Sequence, residues 1–170
     1  ILNNRFMKIL IFGLPGSGKT WLAERLVQHI DNCAWYNADF VRKYANDWDF
    51  ELSGRMRQAN RMKTFADFEK SNGRWVICDF VAPTEKARNA FDADFLIWLD
   101  TIKKGRVVSA KLEQLNEIYN LPFDADSLST SKKFDDTTKI FEEPKNANER
   151  IKNFLDDSEI KKLAEKIKSV

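Results

Sequence analysis

Hydrophobic residues along the chain gather in short runs that end at small or acidic residues. The first run covers Met7 to Phe12, and two others cover Trp75 to Phe80 and Phe95 to Leu99. Continuous apolar runs of this length, bounded by turn residues, are typical of strands that are buried on both faces of a parallel sheet. A shorter run, Ala34 to Tyr36, predicts a fourth strand.

Segments with helical periodicity separate these runs. Apolar residues from Leu22 to Ile30 recur at helical spacing, and residues 55–70 and 84–91 also favour helices. The final segment, Ala147 to Val170, predicts an amphipathic helix. Alternating strands and helices predict an α/β fold of three layers, α/β/α, with a mostly parallel central sheet and functional loops at the carboxyl ends of the strands.

Length and composition predict one domain with a covering segment. A chain of 170 residues with 43% hydrophobic content can bury one sizeable core. Residues 103–140 are rich in charge, Ser, Thr and Asp and have weak periodicity, which favours a mobile lid that begins with a helix over residues 106–119. We therefore predict a single domain over residues 1–170 with a lid at about residues 103–140.

The charge and cysteine content give no sign of a macromolecular partner. The net charge is only +2, so we expect neither a membrane nor a nucleic-acid partner, although a local basic site stays open. Cys33 and Cys78 lack metal-ligand spacing and are predicted to be reduced thiols of a cytoplasmic protein. No apolar run approaches the ~20 residues of a membrane-spanning helix, so we expect a soluble protein. The oligomeric state stays open, with a homodimer among the options.

The segment GLPGSGKT at residues 13–20 carries the strongest chemical signal. It matches the P-loop pattern in full and lies between a predicted strand and a predicted helix, as the motif requires. Lys19 is expected to pair with the β and γ phosphates of ATP, and Thr20 is expected to ligate Mg²⁺. The chain is thus predicted to be a P-loop NTPase. The residues expected to bind ATP are Gly13, Pro15, Gly16, Ser17, Gly18, Lys19 and Thr20.

Two acidic residues follow predicted strands near this loop. Asp79 ends the run that begins at Trp75, where P-loop proteins often place an acid that orients Mg²⁺. A carboxylate that caps the next loop is an equally open interpretation of Asp79. Asp39 follows the run that ends at Tyr36, and the residues alone favour a helix N-cap at this position.

Several motifs, in order along the chain, resemble those of adenylylsulfate kinases, which phosphorylate the 3′ hydroxyl of adenosine 5′-phosphosulfate with MgATP. GLPGSGKTWLA is similar to the family's GLSGSGKTTLA, and the stretch from Asn37 to Arg42 is similar to its DGDNVR. The resemblance implies catalytic roles for Lys19 and Asp39. Asp39 would orient or deprotonate the acceptor hydroxyl, and Arg42 would contact the phosphosulfate end of the acceptor.

Weaker likenesses continue to about residue 148. The stretch from Arg57 to Asn60 resembles the family's R-x-E-N and implies that both residues bind the acceptor, although charged residues at helical spacing are usually a solvated face. Lys132 and Phe134 resemble the family's K-x-F, which implies that they clamp the acceptor, with Phe134 stacking on its adenine. Ala59 replaces the usual glutamate of the first motif, so the identity of the acceptor stays open.

Three functions are compatible with these features. The first is an MgATP-dependent phosphotransferase that acts on adenosine 5′-phosphosulfate in sulfate assimilation. The second is a P-loop kinase with another hydroxyl acceptor, such as a nucleoside, a sugar or a modified base in DNA. The third is a regulatory module that binds nucleotide and hydrolyses ATP slowly.

Overall fold

The computed structural model describes residues 7–103 and 136–170. Its strands form one parallel sheet in the order β2-β3-β1-β4-β5. The strands are β1 (Lys8–Gly13), β2 (Cys33–Asn37), β3 (Trp75–Asp79), β4 (Phe95–Leu99) and β5 (Glu149–Ile151).

Helices cover both faces of this sheet. They are α1 (Lys19–Leu26) with a 3₁₀ turn (Val27–His29), α2 (Ala38–Ala45), α3 (Leu52–Ser71), α4 (Glu85–Phe91), α5 (Asp136–Ile140) and α6 (Asp157–Lys168). The predicted three-layer α/β fold is therefore confirmed. Nearly all of the predicted lid, including its expected first helix, lies outside the described residues.

The central strand β1 is buried along its whole length because both of its faces contact helices. Ile9 and Ile11 belong to an apolar cluster that contains residues of α1 and α6. Leu10 and Phe12 belong to a second cluster, which contains residues of α2, α3 and α4. Successive side chains of a strand point to opposite faces, so a continuous apolar run is what this central position requires.

One sequence prediction is wrong in part. The segment from Ala147 to Val170 was expected to be helical throughout, but Glu149–Ile151 forms the edge strand β5, in register with Ile97–Leu99 of β4. The helix α6 begins only after Asp156, whose carboxylate accepts a hydrogen bond of 2.8 Å from the Glu159 amide. A strand of three residues is too short to show periodicity, and its pairing partner is distant in sequence.

The topology brings three strand ends to one edge of the sheet. Asn37 at the end of β2 is paired with Asp79 at the end of β3, and Ile11 of β1 is paired with Asp79 on its other side. The loop after β1 starts at Gly13 and leads directly into α1. The edge that carries the carboxyl ends of the strands therefore gathers the predicted phosphate and magnesium residues.

Candidate active site

The loop between β1 and α1 has the tight backbone that its glycines allow. Gly16 and Gly18 have φ angles of 88° and 101°, a region that residues with side chains seldom adopt. A Cβ atom on Gly13 would lie 2.6 Å from the Leu99 carbonyl oxygen and 2.8 Å from the Ser17 Oγ. The first position of the loop therefore has no room for a side chain.

Two polar groups in this loop fit a phosphate ligand. Ser17 Oγ is the single buried side-chain oxygen or nitrogen without a hydrogen-bond partner in the part of the chain that the structure describes. Lys19 is buried at the start of α1, and its Nζ donates a 3.1 Å hydrogen bond to the Leu14 carbonyl. A buried ammonium beside a helix N-terminus is suited to the oxygens of a polyphosphate.

Asp79 is the centre of a buried hydrogen-bond network next to the loop. Its Oδ1 accepts a 2.8 Å bond from the Trp35 indole nitrogen. Its Oδ2 accepts bonds from Asn37 Nδ2 at 2.9 Å and from Thr20 Oγ1 at 3.3 Å. Burial raises the pKa of Asp79 to about 7, while the hydrogen bond from Trp35 and the charge of Lys19 oppose that rise.

The donor set at this point fits Mg²⁺ better than a transition metal. Thr20 and Asp79 offer hard oxygen atoms, and no cluster of three or more His, Cys, Asp or Glu side chains able to hold a metal occurs among the described residues. Mg²⁺ is usually held by one or two protein oxygens together with substrate phosphates and retained waters. The chemistry of these residues therefore fits a magnesium ion that arrives with ATP.

A cavity of about 740 Å³ extends from the phosphate loop to α2 and α3. Gly16, Gly18, Lys19 and Thr20 form its phosphate end. Beyond these residues, its polar lining includes Asp39, Arg42, Arg55, Gln58 and Asn60, and its apolar lining includes Phe50, Met56, Phe80, Val81 and Pro83. One continuous space thus connects the P-loop with a second region that has its own polar and apolar groups.

Asp39 lies in the first turn of α2 and lines this cavity. The helix N-cap is Asn37, whose Oδ1 accepts a 3.0 Å hydrogen bond from the Phe40 amide. The interpretation of Asp39 as an N-cap is therefore wrong. Its carboxylate is instead one of the groups that border the space beside Lys19.

Arg42 and Asn60, both predicted to bind the acceptor, also line the cavity. Arg42 is buried, and its guanidinium donates to the carbonyl oxygens of Asp47 at 2.9 Å and Asp49 at 3.1 Å. It lies 4.4 Å from the centre of the Phe50 ring. Burial lowers the pKa of Arg42 to about 10, so the side chain is a cation at neutral pH.

Arg57, the third predicted acceptor residue, lies elsewhere. Its guanidinium pairs with the carboxylates of Asp47 at 2.6 Å and Asp49 at 3.3 Å, whereas the cavity lining among the described residues includes Arg55 and Gln58. Successive helical residues are separated by about 100°, so residues two apart point to nearly opposite sides of α3. The roles predicted for Lys132 and Phe134 concern positions outside the described residues and stay predictions.

Most of the cavity's apolar wall and two of its cations, Arg55 and Lys86, were not predicted from the sequence. Phe50, Met56 and Arg55 surround the start of α3, and Phe80 follows β3. Arg55 carried no clear signal, because α3 begins at Leu52, three residues before the predicted helix, and the direction of a helical side chain depends on that start. The aromatic residues carried no signal either, since isolated aromatic residues are usually part of a core.

The family comparison matches residues 9–116, well over half of the chain, to a family model described as an AAA domain, AAA_18. The chain belongs to this family. A curated protein from Aeropyrum pernix, described as a probable adenylyl-sulfate kinase, is 34% identical to this AAA domain over 86 residues. That match covers 48% of the chain and 47% of the relative, so the chain spans about half the length of the curated relative.

Solved structures of P-loop kinases share the whole fold. The Mycobacterium tuberculosis APS kinase in complex with AMPPNP and APS has a TM-score of 0.65 at 19% identity, with 97% of this chain and 96% of that chain covered. Shikimate kinase from Acinetobacter baumannii has a TM-score of 0.52 at 17% identity, with 98% and 93% covered. The P-loop kinase fold and the resemblance to adenylylsulfate kinases are thus confirmed.

Two further predictions can be compared with the described residues. Cys33 and Cys78 are both free, as expected for reduced thiols. None of the described helices has the length and apolar character that crossing a lipid bilayer requires.

Proposed function

We propose that this AAA domain is an ATP-dependent kinase that transfers the γ-phosphoryl group to a hydroxyl of a small acceptor. The observation that carries the proposal is the single cavity that joins the P-loop to Asp39 and to the polar side chains of α2 and α3. A module that only hydrolyses ATP needs the phosphate end of this space. It has no use for a second region lined by its own carboxylate and arginines.

The phosphate end would bind and orient ATP. Lys19 would exchange its bond to the Leu14 carbonyl for the β and γ phosphates. Thr20 and Asp79 would hold Mg²⁺, Asp79 directly or through a water, and Asn37 and Trp35 would keep the Asp79 carboxylate in place. When bound, the magnesium ion would neutralise charge on the transferring phosphoryl group.

The acceptor end would position the hydroxyl. Asp39 borders the cavity next to the P-loop, and its carboxylate would accept the hydroxyl proton. Phosphoryl transfer depends mainly on positioning and charge stabilisation, so holding donor and acceptor together in one cavity would supply most of the catalysis.

The acceptor that we propose is adenosine 5′-phosphosulfate. The apolar groups Phe50, Met56 and Phe80 suit the flat ring of a purine, while Arg42 and Arg55 suit an anionic end. The order of the motifs and the partial match to a probable adenylyl-sulfate kinase support the same acceptor.

A second candidate acceptor is a nucleoside or nucleotide of a different kind. The engagement of Arg57 by Asp47 and Asp49 favours this alternative, because the resemblance assigns Arg57 to the acceptor. A kinase for a less highly charged nucleoside would have less need of that arginine.

The direct test is an MgATP-dependent assay of purified protein with adenosine 5′-phosphosulfate, in which ADP and the 3′-phosphorylated product are both measured. The matched control is Lys19→Ala, which should nearly abolish product because it removes the cation expected at the β and γ phosphates. Product from the wild type alone supports the main proposal. ADP without product, followed by transfer to other nucleosides in the same assay, would support the second candidate.

A further inference from the structure

Arg88 is a buried cation that does not line the cavity in the described part of the chain. It lies on α4 with 4% of its surface exposed, and its guanidinium carbon is 4.8 Å from the centre of the Phe12 ring and 5.7 Å from that of the Phe141 ring. One nitrogen donates a 2.9 Å hydrogen bond to the Ala82 carbonyl, and another donates a 2.7 Å bond to the Glu142 carbonyl. Both hydrogen bonds of this costly buried charge thus go to the main chain.

The first carbonyl belongs to a residue with an unusual backbone. Ala82 has a φ angle of +40° and is buried, a combination that residues with side chains seldom show. Such a conformation persists where the surrounding structure holds it, and it occurs preferentially at functional sites. Ala82 and its neighbours Phe80, Val81 and Pro83 form one wall of the cavity.

Glu142 holds the same wall from the other side. Its amide donates a 2.7 Å hydrogen bond to the Pro83 carbonyl. Its Oε2 accepts a 2.9 Å bond from the Glu85 amide at the start of α4. Together with the bond from Arg88, these bonds fix the Ala82 and Pro83 carbonyls of the wall and the Glu85 amide that follows it. Glu142 lies more than 50 positions from Glu85 in the sequence.

We propose that Arg88 and Glu142 form a clamp that fixes the backbone of residues 80–85 and thereby sets the shape of the acceptor end of the cavity. Arg88 is a positioning residue in this proposal, since it acts through the wall and contacts no substrate. The inference rests on the proposed function, because the shape of this wall matters for a kinase only if the acceptor binds against it.

The guanidinium geometry is essential to the clamp. Its planar fork can donate to two carbonyls on separate segments at the same time, and the stacked rings of Phe12 and Phe141 lie close to it. A lysine would supply a single point charge at this position. Arg88→Lys therefore keeps the charge but places all donors on one nitrogen, so it cannot reproduce two bonds that leave from separate guanidinium nitrogens.

The kinetic test compares Arg88→Lys with the wild type and with Arg74→Met, a matched loss of an arginine that pairs with Glu69 away from the cavity. In Arg88→Lys we expect the KM for the acceptor to rise about tenfold or more while the KM for ATP stays within about twofold, because only the acceptor wall loses its shape. Arg74→Met should change neither value. A parallel rise of both KM values in Arg88→Lys would overturn the proposal.

Hydrogen exchange gives a second readout that needs no acceptor. In Arg88→Lys, peptides that cover residues 80–85 and the Glu142 amide should exchange about tenfold faster, with no change in the P-loop peptide. Glu142→Ala should accelerate exchange at Glu85, and Glu142→Gln, which keeps a side-chain oxygen, should restore it. Unchanged exchange at residues 80–85 would overturn the clamp. If no acceptor is phosphorylated, the proposed function fails, and this comparison still decides whether the clamp exists.

Discussion

Asp39 and Lys19 border the same cavity, but only Asp39 is expected to act on the acceptor. Asp39→Asn keeps the size of the side chain and removes its ability to accept a proton. We expect turnover to fall about 10²-fold or more, in the range typical of lost general-base catalysis. The KM for ATP should stay near the wild-type value, since the P-loop is unchanged.

The control for this prediction is Asn60→Ala, a substitution on α3 that shortens another polar residue of the cavity lining. It should raise the KM for the acceptor with a smaller effect on turnover. Steady-state kinetics with both substrates varied would separate the two effects. Turnover by Asp39→Asn at the wild-type rate would remove Asp39 from the mechanism.

The buried carboxyl of Asp79 predicts a pH dependence. Burial raises its pKa in the folded chain from 3.8 to about 7, so the folded state binds this proton more tightly than the unfolded state does. The sign follows from linkage: protonation of Asp79 stabilises the fold below about pH 4, and this contribution is lost as the pH rises to about 7. The affinity for MgATP should change in the opposite direction, because the ionised carboxylate is the form that favours Mg²⁺.

Both trends can be checked by measuring the unfolding free energy and the MgATP affinity between pH 5 and pH 8. This pH range includes the Asp79 pKa of about 7. In Asp79→Asn both trends should be flattened. Trp35→Phe is a second variant to compare, since it removes the 2.8 Å hydrogen bond to Asp79 and leaves Thr20 and the Asp79 carboxylate in place. A MgATP affinity that is independent of pH in the wild type would contradict the assignment.

At the scale of elements, helix α3 presents two arginines with different surroundings. Arg55 lines the cavity, whereas Arg57 pairs with Asp47 and Asp49 outside it. We expect Arg55→Ala to raise the KM for an anionic acceptor about tenfold or more, as loss of a charge-assisted hydrogen bond would. Arg57→Ala should leave that KM within about twofold, because Arg57 pairs with Asp47 and Asp49 and does not line the cavity in the described part of the chain.

The two variants are matched controls for each other, since they remove the same side chain two positions apart on one helix. Kinetics with the acceptor varied at saturating MgATP would compare them. The reverse result, a large effect of Arg57→Ala and none of Arg55→Ala, would restore the role that the motif resemblance implied for Arg57.

The contrast between α3 and the strands shows what the sequence could predict. The strand β1 is buried throughout, and β3 and β4 are buried except for one half-buried residue each, so their apolar runs were nearly complete and their ends were placed almost correctly. The P-loop was identifiable because its chemistry depends on residue type at fixed spacing. Arg55 and Arg57 could not be separated in this way, since the direction of a helical side chain depends on where the helix begins.

The short strand β5 was not predicted, for a different reason. Its stability comes from pairing with β4 and from burial of Ile151 against the cluster around α1 and α6. The pairing with β4 joins residues about 50 positions apart, and three residues are too few to show a local pattern. The acceptor wall around Ala82 was also beyond prediction, because its backbone is held by Arg88 and by Glu142 from a distant segment.

At the scale of the whole molecule, the phosphate loop is connected to both halves of the core. It follows β1, whose two faces belong to the two apolar clusters, and the Thr101 hydroxyl after β4 donates a 2.7 Å hydrogen bond to the Ser17 carbonyl. A ligand held by this loop should therefore stabilise the sheet and the helices on both faces together. Because β1 contributes to both clusters, a ligand cannot easily stabilise the helices on one face of the sheet without those on the other.

Because β1 is shared by both clusters, MgATP is expected to change the unfolding of the whole fold. At a concentration 100 times its Kd, a ligand specific for the folded state adds about 2.7 kcal/mol to the unfolding free energy. For a chain of this size, 1 kcal/mol raises the midpoint by about 2 to 4 °C, so MgATP should raise Tm by about 5 to 11 °C. The transition should remain a single step, and Lys19→Ala should lose most of the shift because the phosphates lose their buried cation. Differential scanning calorimetry would test this directly, and two separate transitions, only one of them shifted by MgATP, would contradict the prediction of one domain.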